Sequence, residues 1–218
     1  MIIVIDGPAG SGKSTTAKAV ADKLQIEYLD SGALYRAVTL IYLEANRDSE
    51  TFFRLLDQKK ITFYYIDSQF HVCIDGASVT DQIRTPEVAN LVSKVAAMPK
   101  VRTFVNELMR DAVTDGIYIA EGRDLGTAVF PDAKLKFYMD ADLSERARRR
   151  YNELKKDNPG LTYREVKLNI AERDRQDTSR DKDPLIQSKD ALSIDTTDLT
   201  FEQQVDRICL TINEQLLN

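Results

Sequence analysis

Hydrophobic residues alternate along the chain between short aliphatic runs and longer stretches with helical spacing. Residues 2–5 are typical of a strand buried on both faces, and Lys13–Leu24 places Ala17 and Val20 on one side of a helix. The same patterns predict strands at residues 27–29, 117–120, 135–139 and 191–194, and helices at residues 33–45, 51–58, 86–97, 100–115 and from residue 201 onward. Strands that alternate with helices predict an α/β fold whose mainly parallel sheet is covered on both faces.

The period changes to two in ITFYYIDSQFHVCIDGASVTD, residues 61–81. Turn signals at Asp67-Ser68 and Asp75-Gly76 divide this stretch into short strands. It therefore predicts a small antiparallel insert within the α/β chain. His71, the only histidine, lies on the strand face opposite its neighbours, so we expect a plain strand residue and no histidine-based acid–base chemistry.

Composition limits the classes of protein that the chain can belong to. With 218 residues, of which 43% are hydrophobic and 30% charged, we expect one soluble globular unit. No apolar run approaches a membrane span, and the spacing of Cys73 and Cys209 suits neither a metal site nor a redox pair, so we expect a cytoplasmic protein with two buried thiols. The net charge of −5 argues against general nucleic-acid binding, although residues 141–182 carry +3 and the remainder −8.

The segment Gly7-Pro-Ala-Gly-Ser-Gly-Lys13-Ser14 fits GxxxxGK[ST] between a predicted strand and a predicted helix. In such a P-loop, backbone N–H groups and the helix N-terminus hold phosphates, the lysine bridges the terminal phosphates, and the serine hydroxyl binds Mg²⁺. We therefore expect ATP with Mg²⁺ to bind at Gly7, Pro8, Ala9, Gly10, Ser11, Gly12, Lys13, Ser14 and Thr15.

The loop alone does not separate a kinase from a GTPase switch or a motor ATPase. A GTPase would carry NKxD, which this chain lacks, and its only DxxG match, at residues 157–160, lies in a polar loop. A motor would need far more chain or ring partners. These observations favour a small-molecule kinase.

A kinase needs a second anionic substrate, and acids and arginines follow several predicted elements. Ser31 occupies an N-cap-like position after the second strand, where Asp30 is placed to hold a magnesium-bound water and Arg36 to pair with a phosphate. Glu121, at the end of a buried strand, is a further magnesium residue acting through water.

Two helical stretches add arginines to this predicted site. Arg173, Asp177 and Arg180 share one helix face by their spacing, which suits a sugar phosphate but equally an internal ion-pair ladder. Arg146, Arg149 and Arg150 share another face, on a helix that would close over the triphosphate or simply be solvated.

GPAGSGKST, DSGALYR, IRTPEVA, VAAMPKVR, EGRDLGTAVFPDA and RDxxDxxR together resemble the bacterial cytidylate kinases, in the same order over nearly the whole chain. The resemblance implies a P-loop NTPase-type parallel β-sheet flanked by helices, with a small antiparallel-β monophosphate-binding insert and a short helical lid. It implies a single domain, with a core at about residues 1–58 and 99–218, the CMP-binding insert at about 59–98, and the lid at about 144–164.

The resemblance also implies a role for each matching residue. Asp124 would accept from the cytosine N4 amino group and repel the O4 of uracil. Glu121 departs from the family, in which Asp is commoner, and it extends the carboxylate by one methylene group. The residues implied are Ser31, Arg102, Asp124 and Arg180 at the cytosine; Ser93, Arg173 and Asp177 at the sugar; Arg36, Arg84 and Arg123 at the acceptor phosphate; Arg146 at ATP; and Lys13, Arg123, Arg149 and Arg150 in catalysis.

The resulting hypothesis is in-line transfer of the ATP γ-phosphoryl group to CMP or dCMP by a monomeric cytoplasmic enzyme that needs no nucleic acid, membrane or protein partner. One alternative is a kinase for another monophosphate or small metabolite. The other is a nucleotide-dependent switch or binding protein, which would hydrolyse ATP slowly and show no acceptor-stimulated turnover.

Overall fold

The computed structural model describes residues 1–156 and 158–216. Asp157, which belongs to the DxxG match and the predicted lid, lies outside the described residues, as do residues 217 and 218. Within the described chain the strands are β1 (Ile2–Asp6), β2 (Glu27–Asp30), β3 (Ile61–Ile66), β4 (Gln69–Ile74), β5 (Ala77–Ser78), β6 (Tyr118–Glu121), β7 (Leu135–Asp140) and β8 (Leu192–Asp195). The α-helices are α1 (Lys13–Leu24), α2 (Ser31–Glu44), α3 (Ser49–Gln58), α4 (Pro86–Ala96), α5 (Pro99–Ala112), α6 (Leu143–Leu154), α7 (Tyr163–Ser179) and α8 (Phe201–Leu216).

The central sheet is parallel, with strand order β2-β6-β1-β7-β8, and helices flank it, which confirms the predicted fold class. The central strand β1 is aliphatic because both of its faces are buried, and Ile3, Val4 and Ile5 are fully inaccessible. Each strand of this sheet ends on a carboxylate at the same edge: Asp6, Asp30, Glu121, Asp140 and Asp195. In open α/β sheets this edge is the one that binds ligands.

Helix α2 begins at Ser31, two residues before the predicted start at residue 33. Ser31 is its first residue and not its N-cap, since the Oδ1 atom of Asp30 accepts a hydrogen bond from the Ala33 backbone N–H at 2.8 Å. The carboxylate outcompetes the hydroxyl for the cap because it precedes the helix directly at the strand end. The Ser31 hydroxyl is thereby free to donate to the Glu121 backbone carbonyl at 2.7 Å.

The antiparallel insert consists of β3, β4 and β5, joined by the two predicted turns. Both residues of each turn have positive φ, the type I′ geometry that matches the twist of hairpin strands. Phe70 and Val72 face inward and belong to the same hydrophobic core as the parallel sheet, where Tyr28 packs edge-on against Phe70. His71 points outward and stacks on Tyr64, as the alternation predicts. The insert therefore has no core separate from the main one among the described residues.

Helices α6 and α7 pack around a second, much smaller hydrophobic cluster. Its buried members are Ala147, Val166, Ile170 and, from the phosphate loop, Ala9. Helix α7 starts with a capping box in which Thr162 and Glu165 satisfy each other's backbone N–H groups. This helical pair therefore packs on the core largely through the phosphate loop itself.

Candidate functional site

The phosphate loop connects the end of β1 to the start of α1. Gly7 has a φ of +147°, and a Cβ atom there would lie 1.9 Å from the Met139 backbone oxygen, so no other residue fits. Lys13 is buried, and its Nζ atom donates to the Pro8 carbonyl at 2.7 Å and to the Ser11 hydroxyl at 3.4 Å. Burial, followed by the neighbouring Arg123, lowers the pKa of Lys13 well below its usual range. The ammonium group thus faces neutral acceptors of the loop itself.

Ser14, Asp30 and Glu121 converge beside the loop. The Ser14 hydroxyl donates to Glu121 Oε1 at 2.8 Å, and the parallel register places Asp30 directly beside Glu121. Burial, and then the Glu121 carboxylate, raise the pKa of Asp30 to about 6. Two adjacent carboxylates and a hydroxyl are the oxygen ligands that Mg²⁺ prefers, and a divalent cation would relieve their repulsion. These residues fit a magnesium ion that completes its coordination with water and phosphate oxygens.

Asp6 joins the phosphate loop to the segment after β6. Its carboxylate accepts hydrogen bonds from the backbone N–H groups of Leu125 at 2.9 Å and Gly126 at 2.7 Å, where residues Leu125–Val129 form a single π-helical turn. Burial raises the pKa of Asp6 to about 6, and the two N–H donors oppose that rise. The sequence analysis missed Asp6, although an acid placed between a buried strand and the first loop glycine was a usable signal.

Asp124 lies between two arginines on the other side of the site. It accepts from Arg102 and, at 2.8 Å, from Arg180, while Arg102 also donates to Asp183 at 2.9 Å. Arg102 is 1% exposed and lies over the Tyr35 ring at 5.4 Å. Burial raises the pKa of Asp124, and the two arginines oppose that rise. The network holds three of the predicted cytosine residues together, and Asp183 is a further member that the sequence analysis did not assign.

The predicted helix face of Arg173, Asp177 and Arg180 is wrong in one part. Helix α7 ends at Ser179, and Arg180 follows it in an extended conformation, where its Nε atom donates to the Asp183 backbone carbonyl. The turn away from the helix still brings Arg180 to Asp124, because that carboxylate lies beyond the helix end. Asp177 accepts from Arg123 at 3.0 Å and from Arg180 at 3.4 Å, whereas Arg173 forms no ion pair within the described residues, so only the Arg180 half of the ion-pair ladder that the spacing also allowed is present.

Arg173 differs from these paired arginines. Across residues 1–156 and 158–216, its Nε atom is the one buried side-chain nitrogen or oxygen that has no hydrogen-bond partner. Burial, followed by the neighbouring Arg123 and Arg36, lowers the pKa of Arg173 to about 10. Because neighbouring cations that lower one another's pKa are stabilised by an anion, this cluster is a candidate phosphate site.

Three residues predicted to bind the acceptor have side chains without partners in the described chain. Arg36 is half-buried on α2, and Arg84 is exposed at the end of a 3₁₀ turn at Gln82–Arg84. Neither forms an ion pair with any residue in the described part of the chain. Ser93 is half-buried on α4, and its hydroxyl makes no hydrogen bond to another described residue. These side chains are thus available to a ligand.

The three arginines of α6 do not act as one face. Arg146 is buried and donates to the Ala9 carbonyl at 2.9 Å and to Asp174 at 2.5 Å. Arg149 donates to the Thr196 hydroxyl at 3.1 Å, whereas Arg150 has a half-exposed side chain that pairs with Glu153 on its own helix. Arg146 and Arg149 lie at the loop because their neighbours hold them there, and Arg150 remains at the surface.

Comparison with known proteins gives one consistent family. A family model described as cytidylate kinase matches residues 3–214. A cytidylate kinase of Carboxydothermus hydrogenoformans is 43% identical over 95% of this chain and 95% of the relative, and one of Fervidobacterium nodosum is 42% identical over 98% and 96%. An uncharacterized protein from Eubacterium ventriosum ATCC 27560 has a similar fold, with a TM-score of 0.53, 13% identity and 98% of both chains covered. No described helix of this chain is long and apolar enough to cross a membrane.

Proposed function

The chain belongs to the cytidylate kinase family, and from this premise we propose that it transfers the γ-phosphoryl group of ATP to the 5′-phosphate of CMP and dCMP. One observation supports the binding of two phosphate-bearing substrates at this site. The unpaired Arg173 and the Arg123 guanidinium both lie near enough to Lys13 to lower its pKa, so the cations of two phosphate sites converge. A site for a single nucleotide would not need the second cluster.

The donor binds at the loop of residues 7–15. Lys13 leaves the Pro8 carbonyl for the terminal phosphates, and backbone N–H groups of the loop hold the phosphate oxygens. Magnesium, held by Ser14 and through water by Asp30 and Glu121, neutralises charge on the β- and γ-phosphates when it is bound. Arg146 and Arg149 contribute positive charge along the ATP side, with Arg150 reaching the site from the surface of the lid.

The acceptor binds between α2, the insert and the segment after β6. Asp124 reads the cytosine N4 amino group, with Ser31, Arg102 and Arg180 beside it. Ser93 and Asp177 face the sugar, and Arg173 lies between the sugar and the acceptor phosphate. Arg36, Arg84 and Arg123 hold the acceptor phosphate. Because the two arginines that flank Asp124 favour its ionised form and hold it in position, we expect the carboxylate to be oriented before CMP arrives.

Catalysis follows from positioning and charge neutralisation. The attacking group is an oxygen of an anionic phosphate, so no general base is required, in keeping with the outward position of His71. Lys13 and Arg123 stabilise the charge that spreads over the transferred phosphoryl group, and the lid and insert exclude water that would otherwise hydrolyse ATP. We propose that the chain comprises a core at about residues 1–58 and 99–218, an insert at about 59–98 and a lid at about 144–164. We also propose that it acts as a cytoplasmic monomer.

A coupled assay of ADP formation with ATP, Mg²⁺ and each of CMP, dCMP, UMP and AMP tests the proposal. We expect CMP and dCMP to stimulate turnover well above UMP and AMP, with a Lys13→Ala preparation as the control for contaminating kinases. A preference for UMP or AMP would contradict the role of Asp124. Slow hydrolysis that no acceptor stimulates would instead indicate a nucleotide-dependent switch.

A further inference from the structure

Ala9 of the phosphate loop is held through all of its groups by the helical pair α6 and α7. Its N–H donates to Asp174 Oδ1 at 3.1 Å, and its carbonyl accepts from Arg146 Nη1 at 2.9 Å. Its methyl group is buried in the small cluster with Ala147 and Ile170. A loop residue whose N–H, carbonyl and side chain all contact the same two helices is fixed in position by them.

Asp174 is the residue that joins these contacts. Its second oxygen accepts from Arg146 at 2.5 Å, so one carboxylate binds the loop through its backbone and α6 through a charged pair. A further donor of Arg146, Nε, is bound to the Ala141 carbonyl at 2.8 Å, directly after β7. Asp174 is about one-fifth exposed at its side chain, and its charge is compensated by a buried arginine.

Helix α7 also reaches the acceptor residues, but by a different side chain. Asp177, one turn after Asp174, binds Arg123 and Arg180 and makes no contact with the loop. Asp174 therefore binds α7 to the phosphate loop and Asp177 binds it to the acceptor residues. The two carboxylates share no hydrogen-bond partner.

We propose that Asp174 is a positioning residue for the ATP side of the reaction, acting through Ala9 and Arg146. This inference rests on the proposed phosphoryl transfer from ATP. Asp174 holds the first half of the phosphate loop in the conformation that receives the triphosphate, and it holds the Arg146 guanidinium beside that loop. It plays no part in reading the acceptor.

The test compares Asp174→Ala, Asp174→Asn and, as a matched control on the same helix, Glu172→Ala, which removes an exposed carboxylate paired with Arg175. For Asp174→Ala we expect the KM for ATP to rise about tenfold or more, the effect of losing one hydrogen bond to a charged group, while the KM for CMP stays within about twofold. Asp174→Asn keeps one oxygen for Ala9 but presents an N–H donor to Arg146, so we expect an intermediate rise. Glu172→Ala should match the wild type.

Titration of ATP into each variant without acceptor, together with thermal melting, separates the possible outcomes. Weaker ATP binding with an almost unchanged Tm supports positioning, and it does so even for a protein whose acceptor is not CMP. Equal losses for ATP and CMP with a large fall in Tm would show a general structural role and overturn the proposal. Tighter ATP binding would also overturn it, because the carboxylate would then be competing with phosphate. If Asp174→Ala does not fold, the Asn variant decides.

Discussion

The two sides of the site hold their cations in different ways. On the ATP side, Lys13 donates to neutral acceptors of the loop, whereas Arg146 and Arg149 donate to backbone carbonyls and also pair with Asp174 and Glu145. On the CMP side, Arg102, Arg123 and Arg180 are paired with buried carboxylates. A carbonyl can be exchanged for a phosphate oxygen without leaving a buried charge unpaired, whereas breaking a buried ion pair is costly.

This difference indicates a division of work between rearrangement and recognition. On the proposed ATP side, Lys13 can exchange its hydrogen-bond acceptors when the triphosphate arrives. On the proposed CMP side, the ion pairs would fix Asp124 before the base binds, and the unpaired Arg173 would be left for the anionic part of the ligand. The following variants each change one residue on the ATP side, on the CMP side or between them.

Lys13→Ala removes the most important exchangeable cation. We expect kcat to fall by at least about 1,000-fold, because the charge that develops on the transferred group loses its closest protein cation. Lys23→Ala, which removes a surface lysine paired with Asp206, serves as the control and should keep wild-type kinetics. Retention of near-normal turnover by the Lys13 variant would show that the ATP side does not work by this exchange.

Asp6→Asn tests the residue that joins the two sides. Asp6 has its pKa raised from 3.8 to about 6 by burial, so the stability it contributes is present below pH 4 and is lost as pH rises through about 6. The free energy of unfolding of the wild type, minus that of the Asn variant, should therefore fall by roughly 3 kcal/mol between pH 3.5 and pH 7. Denaturant unfolding across this pH range measures it. A constant difference would mean that Asp6 does not titrate with a raised pKa.

Asp124→Asn tests the fixed side. Its amide can donate to the O4 of uracil, so we expect the preference for CMP over UMP in kcat/KM to shrink by about 5- to 150-fold, the equivalent of about 1–3 kcal/mol, with little change in the KM for ATP. Asp132→Asn, at an exposed position, is the matched control. Equal loss for ATP and CMP would place Asp124 in the general structure of the site.

Arg150→Ala should have the smallest effect. The side chain is 47% exposed and paired with Glu153, so its interaction with the triphosphate is screened by solvent, and we expect less than about a fivefold fall in kcat. Arg149→Ala is the comparison, since that side chain is less exposed and bound at Thr196. A larger loss for Arg150 than for Arg149 would show that the lid carries Arg150 into the site during turnover.

The sequence predicted the parallel sheet and the hairpin turns well, because both depend on local patterns: aliphatic runs for the buried strands and Asp-Ser and Asp-Gly pairs for the turns. It failed at helix ends, where neighbouring residues compete for the capping position or the chain turns away from the helix. Ser31 was predicted as the cap that Asp30 provides, and Arg180 as a helical residue although the chain leaves the helix before it. The partners of Arg146 depend on how α6 and α7 pack on the loop, and the residue spacing within either helix does not predict that packing.

The small hydrophobic cluster of α6 and α7 also bears on the energetics of partial unfolding. Among residues 1–156 and 158–216 it has four buried members, of which three belong to the helices and one, Ala9, to the phosphate loop. A unit with so little buried apolar surface opens at a lower free energy than the main core. Amide protons of α6 and α7 should therefore exchange with solvent deuterium through subglobal opening well before those of β1 and β6, and ATP should slow their exchange by adding contacts that only the closed unit makes.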